Sequence, residues 1–242
     1  MKKATFLAII CGAAMMFVAC KDENLINIRQ SNDHNTKYDT KEAVDLGLSS
    51  GLKWATCNVG ATNPEEYGNY YAWGSTDTVG DYSWERYNYA YGSRNELAKY
   101  CTLTEYGNNG YIDNKTVLEP TDDAATQNWG ESWRTPTIEE WQELIDSCTW
   151  TWTTNYKKTT NVSGYEVKGK NGNSIFIPAA GYWYGNMPYN ANYGYYWSSS
   201  LRIDIPYGAW NMYFFADFSY MVSQYRFYGM AVRPVYQTVS ER

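Results

Sequence analysis

The chain has 242 residues, a formal net charge of −6 and a single histidine, His34. An acidic chain without a Lys/Arg cluster cannot neutralise a phosphate backbone, which excludes nucleic acid as a partner. One histidine near the N-terminus excludes Ser-His-Asp and Cys-His catalysis and histidine metal sites from the rest of the chain. Aromatic residues make up 18%, with 25 Tyr and 11 Trp. The core is therefore built of amphipathic rings, and rings that do not fit inside are left for stacking outside.

In chain order, Met1-Lys2-Lys3 is a basic start, residues 4–17 are an apolar run, and Ala19 is followed by Cys20. That is the layout of a secretory signal. The run is shorter than the ~20 residues a membrane-spanning helix needs. A cysteine directly after a small residue resembles a bacterial lipoprotein signal, in which Cys20 takes a diacylglycerol and becomes the new N-terminus. Phe17-Val18-Ala19-Cys20 departs from the leucine-initiated form of that box. Lys21-Asp22-Glu23 resembles the signal that sends Bacteroidetes lipoproteins to the outer face of the outer membrane. An ordinary signal cut near Ala14, or a short anchor helix, is the other reading. The chain then divides into a signal peptide at 1–19, a polar flexible tether at 20–41, a domain at 42–237 and a tail at 238–242.

In the domain, residues 44–48 and 52–57 read as short strands around a Ser49-Ser50-Gly51 turn, and 70–74 as another. Residues 77–121, rich in Tyr, Asn and Gly, read as long loops with one short helix at 96–100. A second helix is predicted at 122–129, where Asp122 and Asp123 suit the positive end of the helix dipole. The clearest helix is 137–147. Thr137 and Glu140 form a capping box, and Ile138, Trp141, Leu144 and Ile145 fall on one face. Strands are predicted at 165–169, 174–178, 195–199, 209–215 and 230–235. Two or three short helices among short antiparallel strands and long loops make the class α+β. Cys57, Cys101 and Cys148 have no C-x-x-C spacing. They read as small buried packing residues, with one disulfide as the alternative.

Several ordered motifs carry a resemblance. Val44-Asp45-Leu46-Gly47-Leu48 with Lys53-Trp54-Ala55-Thr56-Cys57-Asn58-Val59-Gly60 resembles the opening of the Fibrobacter succinogenes major paralogous domain family. Tyr70-Tyr71-Ala72-Trp73-Gly74, Trp133-Arg134 with Pro136-Thr137, Ile177-Pro178-Ala179-Ala180-Gly181-Tyr182, Tyr196-Trp197-Ser198-Ser199 and Val232-Arg233-Pro234-Val235 extend it over about 42–236. The resemblance implies a C-type-lectin-like fold, shared broadly with formylglycine-generating enzymes. Fold alone licenses no function. Those enzymes use a late cysteine pair, and this chain has no cysteine after Cys148. Trp210-Asn211-Met212 stands where calcium-dependent lectins carry Trp-Asn-Asp, and Met212 cannot ligate a hard cation. Glu119-Pro120-Thr121 lies too far upstream to replace their Glu-Pro-Asn. No metal and no cofactor is therefore expected. Carboxylates are plentiful, with Asp113 among them, but Asp122-Asp123 and Glu139-Glu140 read as helix-start charges rather than a glycosidase pair. The expectation is that the protein is not an enzyme.

What remains is a binding surface. Residues 182–196 hold six Tyr, three Asn and two Gly, a mixture of rigid rings and adaptable amides suited to recognition loops. Residues 201–208 read as a loop and 215–224 as a hairpin. Within 209–215, Met212 and Phe214 facing the core puts Asn211, Tyr213 and Phe215 outside. The expected ligand-binding residues are Tyr184, Asn186, Tyr189, Asn190, Arg202, Asp204, Tyr207, Asn211, Tyr213, Phe215, Asp217 and Tyr225. The expected function is a lipid-anchored surface module that binds an extracellular glycan or protein. A structural part of a surface assembly is the alternative. So is a binding protein diversified by a retroelement over 189–227, as in related lectin-like proteins. Asp77-Thr78-Val79 resembles a Bacteroidetes O-glycosylation motif.

Overall fold

Three curled sheets and two α-helices make up the described part of the chain, an α+β arrangement that is mainly β. The structure is a computed structural model describing residues 25–27, 41–158 and 160–237. Cys20, the signal at 1–19, the tail at 238–242 and the tether apart from residues 25–27 and Lys41 lie outside the described residues.

The strands and helices in order are β1 (Leu25–Asn27), β2 (Glu42–Asp45), β3 (Lys53–Ala55), β4 (Tyr70–Tyr71), α1 (Ala124–Trp129), β5 (Trp133–Arg134) and α2 (Ile138–Ser147). There follow β6 (Thr149–Thr153), β7 (Gly164–Lys168), β8 (Ser174–Pro178), β9 (Tyr182–Tyr184), β10 (Met187–Tyr189), β11 (Gly194–Leu201), β12 (Gly208–Phe215), β13 (Phe218–Tyr225), β14 (Gly229–Ala231) and β15 (Val235–Tyr236). One sheet runs β1-β2-β3-β15-β5, and a second is the antiparallel meander β6-β7-β8. The central sheet runs β10-β9-β14-β11-β12-β13, with β4 also on β14.

β11 is buried along its whole length because both faces of the central sheet are covered. Side chains alternate across a strand. Tyr196 therefore enters one core with Met212, Phe214, Trp54, Trp141 and Leu144. Tyr195 and Trp197 enter a second core with Tyr71, Trp73, Ala209 and Met230. Gly194 is required at the head of β11, since a Cβ there would lie 2.0 Å from the Phe214 ring.

α2 carries the predicted capping box. Thr137 Oγ1 accepts from Glu140 N–H at 3.3 Å, and Glu140 Oε2 accepts from Thr137 N–H at 2.8 Å. The same carboxylate takes both Nη groups of Arg134, which ties β5 to α2. α1 is capped by buried Asp123, which accepts from Ala125, Thr126 and Thr135 N–H and from Thr135 Oγ1. Cys57, Cys101 and Cys148 are free thiols, the first two buried.

Several expectations are corrected. Residues 96–100 form no helix. Leu97 makes isolated bridges to Ala90 and Gly107, and Tyr100 sits at φ 55°. So short a window cannot nucleate a helix by itself, and Leu97 and Tyr100 are held as buried anchors instead. The strand predicted at 230–235 is split between two sheets as β14 and β15. The hairpin predicted at 215–224 is centred earlier, with Ala216-Asp217 joining β12 to β13. β6 went unpredicted.

The long loop over 77–121 is ordered by carboxylates. Asp113 accepts from the N–H groups of Tyr100, Cys101 and Lys115. Partial burial pushes its pKa up, but these donors outweigh burial and hold it below the ordinary 3.8. A depressed folded pKa contributes stability that is complete above 3.8 and is lost as pH falls through the folded value. Asp113→Asn should therefore lower the urea midpoint more at pH 6 than at pH 2.5. An equal loss at both pH values would show that the carboxylate charge contributes nothing.

Candidate functional site

The turn at Ala216-Asp217 sets the register of β12 on β13, with Phe215 opposite Phe218, Tyr213 opposite Tyr220 and Asn211 opposite Val222. Odd residues of β12 and even residues of β13 thus share one face. Toward the turn this face is aromatic. Tyr213 and Tyr220 have ring centroids 5.4 Å apart, and Phe215 and Phe218 lie 6.1 Å apart. Tyr193 stacks on Phe215 at 4.5 Å and on Tyr213 at 5.9 Å.

Tyr195 continues the row, 4.9 Å from both Tyr213 and Tyr182. Tyr182 stacks on Tyr189 across the β9–β10 hairpin at 5.6 Å. Tyr184 meets Tyr189, Tyr228 and Phe227 at 6.1, 5.6 and 5.9 Å. Phe227 stacks on Tyr225, which meets Tyr207, which meets Tyr106. The contacts form one unbroken aromatic belt from Tyr106 to Tyr220. Its inner rings are packed, whereas Tyr184 (49% exposed), Tyr220 (47%) and Met187 (57%) stand in solvent beside Tyr189, Phe218 and Tyr225.

The belt is neutral. Burial raises the phenol pKa of Tyr182, Tyr195, Tyr213 and Tyr228, so these hydroxyls remain protonated donors. Asp217 lies exposed at the β12–β13 turn, and the Arg94 guanidinium sits 5.3 Å from the Tyr207 ring. Such a surface offers ring faces, hydroxyls and amides, which suit an apolar sugar face or a protein epitope.

The expected residues separate into groups. The belt brings together Tyr184, Tyr189, Tyr207, Tyr213, Phe215 and Tyr225. Asn186 is exposed at the β9–β10 turn. Exposed Asn190, at φ 53°, donates to Tyr195 Oη at 3.2 Å. Asn211 is a correction: it is fully buried. Alternation placed it on the right face, but the second core covers that face at mid-strand and leaves only the turn end open. Its Nδ2 donates to Met212 O, and its Oδ1 is buried without a hydrogen-bond partner.

Arg202 and Asp204 are a second correction. They pair with each other at 3.1 Å, Arg202 donates to Ser223 Oγ at 2.8 Å, and its guanidinium lies 5.7 Å from the Trp210 ring. Trp210 and Ser223 share their face with Met212 and Phe214, so this pair lies across the sheet from Tyr213, Phe215, Phe218 and Tyr220, and it neighbours Tyr207 at the far end of the belt. Residues 182–189, read as a recognition loop, are the β9–β10 hairpin. Reasoning from sequence missed Phe218, Tyr220, Tyr193 and Tyr228. The Phe-Ser-Tyr alternation at 218–220 could have revealed the first two.

Among the described residues no group of three or more His, Cys, Asp and Glu is placed to hold a metal ion, and no helix is long and apolar enough to cross a membrane. No family model, curated protein or solved structure matches the chain.

Proposed function

We propose that this protein is a non-catalytic binding or adhesion module, anchored by lipid on Cys20 to the outer face of the outer membrane. Its fold is read as C-type-lectin-like, following the resemblance to the Fibrobacter succinogenes major paralogous domain family. Its ligand is an extracellular glycan or protein, held on the aromatic belt. The observation that carries this reading is the unbroken ring row with Tyr184, Tyr189 and Tyr220 projecting into solvent. Large tyrosines that leave contact area outside a filled core are the residue type that dominates binding energy at interfaces.

The test is a glycan array and a surface-protein panel probed with wild type and with Tyr184→Ala, Tyr189→Ala and Tyr213→Ala. A tyrosine acting as an anchor contributes about 2 kcal/mol, or roughly a 30-fold loss of affinity on truncation. Arg202→Ala, across the sheet from Tyr213 and Tyr220, should bind as wild type does. Binding on a neutral belt should also change little with salt, because screening acts on charges. Equal binding by all four variants would remove the belt as the site.

A further inference from the structure

β13 ends the central sheet, and no strand among the described residues pairs with its outer edge, although α2 packs against β13. The strand is eight residues long, Phe-Ser-Tyr-Met-Val-Ser-Gln-Tyr, with no charge, proline or glycine. Edge strands are ordinarily blunted by shortness, charge or proline, because unpaired backbone groups are a template for another strand. The opposite edge follows that rule: β10 has three residues, with Pro188 at its centre.

The pairing geometry identifies which groups of β13 are free. Phe215 and Phe218 close a two-residue turn, so 218, 220, 222 and 224 direct their N–H and C=O toward β12. Residues 219, 221, 223 and 225 direct theirs outward. Tyr225 O accepts from Tyr228 N–H at 3.1 Å. The backbone groups of Ser219, Met221 and Ser223 take no partner among the described residues. Six groups on three alternate residues thus form one unpaired ladder edge.

We propose that this edge pairs with β13 of a second copy, antiparallel, about a two-fold axis at Met221. That register places Met221 opposite Met221 of the second copy, and Ser219 opposite its Ser223. All six free groups are then used, as a self-complementary interface requires. The belt face gains the pairs Tyr220 with Val222 and Phe218 with Gln224, and aromatic with β-branched is a favourable cross-strand match. Two copies of an uncharged strand meet without like-charge repulsion, which would otherwise oppose association of an acidic chain. The axis is perpendicular to the sheet, so both aromatic belts come to the same side. This interface stands whether or not the belt is the ligand site.

Sedimentation of the full-length chain in detergent should give twice the monomer mass, and Met221→Pro, which removes an outward N–H that β12 does not use, should give the monomer. A register test guards against simple unfolding of that variant. Directly opposed residues lie about 5.5 Å apart at Cα, inside the range a disulfide spans. Under diamide, and with wild type as the blank, Met221→Cys should cross-link. Ser219→Cys mixed with Ser223→Cys should cross-link too, while Ser219→Cys alone should not. A monomer at all concentrations, equal cross-linking at all three positions, or a monomer that takes an extended strand of another protein on this edge would each overturn the proposal.

Discussion

Replacing Arg226 by Met is expected to lower stability by about 4 kcal/mol, a large part of the 5–15 kcal/mol that a domain has. The guanidinium is fully buried. It donates to Tyr87 Oη at 2.8 Å, to Tyr100 O at 3.0 Å, to Pro206 O at 2.8 Å and to Lys99 O at 3.0 Å. It also lies 5.0 Å from the Trp73 ring and 5.1 Å from Tyr87. Methionine fills much of the volume but takes the donor from three backbone carbonyls, each costing about 1–3 kcal/mol if left unpaired, and from the Tyr87 hydroxyl, which keeps its bond to Trp73 O. The relief of no longer burying a charge offsets part of that sum. Arg226→Lys should recover little, because an ammonium cannot reproduce the planar fork that reaches all four. The check is the urea midpoint at unchanged slope. A Met variant within 1 kcal/mol of wild type would show the network to be dispensable. The effect should reach the belt as well, since Arg226 joins Tyr225 to Phe227 and holds the 202–207 turn through Pro206.

Trp141→Ala is expected to cost about 4 kcal/mol, within the 3–5 kcal/mol typical of emptying an aromatic core site. Trp141 is fully buried, 4.6 Å from the Trp54 ring and 6.0 Å from Tyr196, and its Nε1 donates to Trp197 O at 3.3 Å. It is the wedge by which α2 grips the central sheet. Trp141→Phe keeps most of the volume and loses one donor, so its cost should be about 1–2 kcal/mol. If the Phe variant falls as far as the Ala variant, the hydrogen bond rather than the packing is what holds α2 in place.

Features set by a few adjacent residues are legible in the sequence alone. Thr137 and Glu140 announce the start of α2 because a capping box closes within four residues. Asp122 and Asp123 announce α1 through the helix dipole, although the helix begins at Ala124 with Asp123 as its N-cap. That Met212 and Phe214 share a face follows from strand alternation, and the structure puts that face in the core. The helix expected at 96–100 failed because Leu97 and Tyr100 are drawn into distant packing, which overrides a weak local preference. Asn211 failed for a related reason. Alternation assigns a residue to a face, but only neighbours from elsewhere in the chain determine whether that face is covered.

The same division holds for the candidate site. Sequence by itself determined that the chain is acidic, that its C-terminal third is rich in Tyr and Asn, and that Tyr213 and Phe215 share a face. Tertiary structure alone decided that those rings join Tyr184, Tyr189 and Tyr225 into one belt, that Arg202 and Asp204 lie across the sheet from Tyr213 and Phe215, and that no strand among the described residues pairs with the outer edge of β13. Periodicity is written into neighbouring residues by backbone geometry. Coverage and ring contact depend on segments such as 71–106, 182–195 and 218–228 meeting in space, and no local pattern encodes that meeting.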